Sequence, residues 1–73
     1  MLTEMQRSIL EFSKRESFHG TLREFIDRYN VDENMAIQSL RDLKSERIVS
    51  MPPDILNSLI GVTNYGWRVM GWS

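Results

Sequence analysis

Between Thr21 and Leu43 two helices must form with almost no chain to spare between them. Thr21 and Glu24 make a T-x-x-E capping box, in which a side-chain oxygen and a carboxylate each satisfy a backbone N–H at a helix start. Leu22, Phe25, Ile26 and Tyr29 follow at i, i+3, i+4 and i+7, the spacing of a helix with one apolar face. Asn30 tolerates the left-handed backbone that closes a helix. Val31-Asp32-Glu33-Asn34 is then a turn, with Asp32 as the next N-cap and Val31 placed to staple onto Ala36. Ala36, Leu40 and Leu43 form the second apolar stripe, and Asn34, Ile37, Gln38, Arg41, Lys44 and Ser45 occupy the opposite face. Helices are expected over residues 21–29 and 32–46, joined as in a helix-turn-helix.

The flanking segments complete one domain over residues 1–73. Leu2, Met5, Ile9 and Phe12 predict a first helix over residues 3–17, with Thr3 and Gln6 as a capping box and a loop through His19 to Gly20. Ile48-Val49-Ser50-Met51 reads as a strand and Leu59-Ile60-Gly61-Val62 as its return, giving a hairpin over residues 48–62 in which the chain turns or runs along an edge at Pro52-Pro53, with Asp54 to Ser58 between the strands. Thr63 can cap a short final helix over residues 63–71, against which Gly66 and Gly71 argue by propensity. The fold class is therefore mainly α with a small antiparallel β-hairpin.

This order resembles the winged helix-turn-helix superfamily, and in particular small MarR- and PadR-type bacterial or phage regulators. The run from Val31 to Leu43 is similar to the recognition helix, with Ala36, Leu40 and Leu43 facing the core. Ile48-Val49 is similar to the pair that opens the first wing strand, and Val62-Thr63-Asn64-Tyr65-Gly66 resembles the L-T-x-x-G that closes the wing. The resemblance implies a transcriptional regulator that reads double-stranded DNA with its third helix. Asn34, Ile37, Gln38 and Arg41 are then candidates for base edges, and Arg23, Arg28 and Lys44 for phosphates. Where the family has Gly after the recognition helix, this chain has Arg47, which must take a left-handed conformation or bend the chain differently.

Several features favour a protein-binding module instead. The formal net charge is −1, no basic residue lies between Arg47 and Arg68, and Asp32 and Glu33 would repel phosphate. Acidic neighbours such as Glu24 and Asp27 can pair Arg23 and Arg28 locally. Ile55, Leu56 and Trp72 are candidates for a dimer or partner surface, with core packing as the other reading of Trp72. The chain has no cysteine and a single histidine, His19, so neither a disulfide nor a metal site is expected. No nucleophile elbow or phosphate-binding glycine loop is present, so neither an enzyme nor a cofactor is expected. With no apolar run of membrane-spanning length, the expected location is the cytoplasm.

Overall fold

The computed structural model describes residues 2–50 and 53–72. Three helices come first: α1 (Glu4–Arg15), α2 (Leu22–Tyr29) and α3 (Glu33–Ser45). A two-stranded antiparallel sheet of β1 (Val49–Ser50) and β2 (Gly61–Val62) follows, and α4 (Asn64–Met70) ends the order. The mainly helical fold with a small hairpin is thus as expected, including the short final helix. The strands are shorter than their sequence patterns, with Val49 opposite Val62 and Ser50 opposite Gly61. Met51 and Pro52, expected at the strand end and in the turn, lie outside the described residues.

The expected caps close the helix starts. The Thr3–Gln6 and Thr21–Glu24 boxes are both reciprocal. Asp32 accepts from the Met35 backbone N–H at 2.9 Å and Thr63 from that of Gly66 at 3.0 Å. Asn30 is left-handed at φ 51°, so α2 stops there and α3 can begin after two more residues.

Three helix ends share one hydrogen-bond pair. After α3, the N–H of Ile48 donates to the carbonyl of Leu43 and that of Arg47 to Lys44. After α1, Phe18 donates to Ser13 and Ser17 to Lys14; after α4, Trp72 donates to Trp67 and Gly71 to Arg68. This is the Schellman closure, which needs a left-handed residue. Gly71 supplies it without strain at φ 74°, whereas Ser17 (φ 54°) and Arg47 (φ 62°) adopt it with a Cβ. Arg47 therefore takes the left-handed alternative.

The core is built from the apolar stripes. Ile9, Leu10 and Phe12 of α1 meet Leu22, Phe25 and Ile26 of α2 and Ala36, Leu40 and Leu43 of α3, with Ile48, Val49 and Ile60 closing the side. Phe12 and Phe25 meet edge to face with ring centroids 5.5 Å apart. The hairpin is tied to α2 by a third line of backbone bonds. Thr21 bridges Leu59, Ile60 donates to the Gly20 carbonyl, and Arg23 donates to that of Leu56.

Gly66 is in α4 for a reason that helix propensity does not express. A Cβ there would overlap the carbonyl oxygen of Ile48 and Cγ1 of Val62. Its absence lets the first turn of α4 lie directly on the strand pair, where Gly66 is buried.

Candidate nucleic-acid interface

The candidate interface is the outer face of α3, and its position follows from its inner one. Ala36, Leu40 and Leu43 are fully buried, which fixes the helix's rotation. At about 100° per residue, Asn34, Gln38, Arg41 and Ser45 then share an arc of roughly 60° on the far side. Asn34, Gln38, Arg41, Lys44 and Ser45 are all exposed. Ile37, assigned to the same face by its spacing, lies at the flank, half-buried and packed against the core. Only part of its side chain remains for an outside contact.

The polar groups of this face are differently committed. Gln38 donates from Nε2 to Oδ1 of Asp42 at 2.9 Å, one turn on. A two-bond contact to adenine requires both the amide nitrogen and the amide oxygen, so Gln38 must leave Asp42 to make it. Arg41 and Lys44 have no ion pair among the described residues. Arg47, two residues beyond α3 and exposed, has none either, and it adds a third cation at this end of the helix.

Both arginines of α2 are engaged. Nη1 of Arg23 lies 3.1 Å from Oε1 of Glu33 in the first turn of α3. Nη1 of Arg28 lies 2.9 Å from Oε2 of Glu16, at the end of α1, and its guanidinium stands over the Phe12 ring. The hydrogen bond to Glu16 and then that carboxylate's charge raise the pKa of Arg28. The local pairing expected with Glu24 or Asp27 is not what forms; both pairs join different helices. A sequence separation of ten or twelve carries no helical period, so nothing local marks these partners.

The remaining candidates pack inward. Ile55 and Leu56 are half-buried against the core beside the start of α2. Trp72 also packs there, edge to face with Trp67 and near Phe18, and the Lys14 ammonium sits 4.8 Å from its ring centroid. Among the described residues the larger exposed apolar side chains are Tyr29, Met35, Leu59, Tyr65 and Val69, of which Tyr65 and Val69 are one turn apart on α4. Sequence spacing did not single out that pair, although i, i+4 on a short helix is a readable signal.

Among the described residues no helix is long and apolar enough to cross a membrane, and no group of three or more His, Asp or Glu is placed to hold a metal ion. Comparison with known proteins finds no matching family model, no matching curated protein and no matching solved structure.

Proposed function

We propose that this protein is a winged helix-turn-helix regulator that binds double-stranded DNA, with α3 entering the major groove. The observation that carries the reading is the outward arc of α3. Asn34, Gln38 and Arg41 are exposed on one narrow face, and Lys44 and Arg47 stand unpaired at its end among the described residues. Side chains of these types can reach base edges by paired hydrogen bonds, and the lysine and second arginine can take phosphates. The bridge from Thr21 to Leu59 supports the winged arrangement, because it extends the hairpin toward the start of α2. With a single module binding weakly, two copies would act on half-sites about one helical turn apart, roughly 34 Å.

A protein-binding module is the second reading. It is favoured by the engagement of Arg23 and Arg28 in ion pairs and by the exposed Tyr65–Val69 pair on α4.

Titration of a labelled mixed-sequence duplex at about 50 and 200 mM salt separates the two, since phosphate contacts release counterions. The DNA reading expects affinity that falls with salt. It further expects that Lys44→Ala with Arg47→Ala flattens the dependence of log K on log salt by up to about 1.8, near 0.9 for each lost phosphate contact. No binding by the unmodified protein at the lower salt would overturn it.

A further inference from the structure

We infer that Glu33 is an electrostatic gate on DNA binding, holding Arg23 away from phosphate so that affinity depends on the α3 face more than on charge. This rests on the DNA-binding reading above. Arg23 sits at the start of α2 and Glu33 in the first turn of α3, so their ion pair bridges the two helices of the helix-turn-helix. At about 100° per residue, Glu33 occupies the same flank of α3 as Ile37 and Lys44. Arg23 is therefore held beside the candidate interface, within reach of a backbone that passes along that flank.

The two side chains are 44% and 49% exposed. A pair this open is weak and breaks readily, so a phosphate can compete for Arg23. Glu33 opposes that exchange twice: it occupies the guanidinium, and once displaced it leaves a carboxylate near the DNA. The unpaired cations left on and just after α3 are Arg41, Lys44 and Arg47, at its opposite end, against a chain with a formal net charge of −1. Such a protein binds random DNA poorly and relies on base contacts. The Arg28–Glu16 pair lies between α2 and the end of α1, and supplies a matched comparison.

The test is Glu33→Gln in the full chain, titrated with a mixed-sequence duplex across about 50 to 200 mM salt. One phosphate contact steepens the salt dependence by about 0.9. Over a fourfold change in salt, the gain from E33Q should be about 3.5-fold larger at the lower salt than at the higher. E16Q makes the same charge change elsewhere and should give a smaller gain. Arg23→Gln added to E33Q should remove the gain.

If E16Q matches E33Q, the effect is one of net charge, and the gate is overturned. If the E33Q gain survives removal of Arg23, Glu33 acts by its own repulsion, and release of Arg23 is overturned. A duplex-binding wild type whose salt dependence E33Q leaves unchanged overturns the gate while leaving DNA binding intact. A wild type that does not bind at the lower salt overturns the DNA-binding reading and the gate with it, whatever E33Q does. Thermal melting of each variant separates lost folding from lost contacts.

Discussion

α2 and α4 both begin with a threonine N-cap, and the two caps do different work. Thr21 exchanges hydrogen bonds with Glu24, its partner in the first turn of α2. Thr63 accepts from Gly66 in the same way, but its hydroxyl also lies 2.6 Å from the carbonyl oxygen of Arg47 and 3.1 Å from that of Ile48, so it is placed to donate to either. One cap is local. The other is a tertiary joint that fastens α4 to the end of α3 and the start of β1. The Thr-x-x-Gly signal thus has a physical content here: the threonine bridges two segments, and the glycine lets them approach.

The sharpest way to break this contrast is at the glycine. Gly66→Ala should destabilise the protein by about 2–3 kcal/mol, since the added methyl meets the Ile48 carbonyl and not a movable side-chain end. That corresponds to a fall in melting temperature on the order of 10–20 °C. An unchanged melting temperature would mean that α4 is not seated directly on the strands.

Removing each threonine hydroxyl compares the caps directly. Thr21→Ala should lose about 1 kcal/mol, the usual value of an N-cap. Thr63→Ala should lose about 2 kcal/mol, because a donor to the Arg47 and Ile48 carbonyls goes with the cap. Equal losses in denaturant unfolding would erase the distinction.

The smallest effect is expected at the residue that links α3 to this joint. Arg47→Gly should stabilise the fold by about 0.5–1 kcal/mol, as relief of left-handed strain outweighs the greater freedom of glycine when unfolded. The same variant removes a candidate phosphate contact, so the same substitution should raise the urea midpoint and weaken DNA binding together. A lowered midpoint would show that the Arg47 side chain, and not its backbone, holds the joint.

These contrasts follow how legible each part was. The capping boxes, the left-handed Asn30 and the stripe of Ala36, Leu40 and Leu43 could be read directly, because each depends on residues within one or two turns. Gly66 was misleading by propensity alone, since its value lies in a close approach to β1. At the candidate interface, spacing placed Asn34, Gln38 and Arg41 outward. It assigned Ile37 to the same face without showing its burial, and it offered Arg23 and Arg28 as free cations or local pairs.

The sequence by itself determined where the helices start and stop and which stripe of each turns inward, because hydrogen bonding at helix ends and apolar periodicity act over a few residues. Only the tertiary structure decided which charges remain available. Arg23 and Arg28 are taken by Glu33 and Glu16 across helix boundaries, Arg41, Lys44 and Arg47 are in no ion pair among the described residues, and Thr63 reaches back to the end of α3. The reason is distance: these partners are ten to sixteen residues apart in sequence and become neighbours only when the apolar stripes have packed.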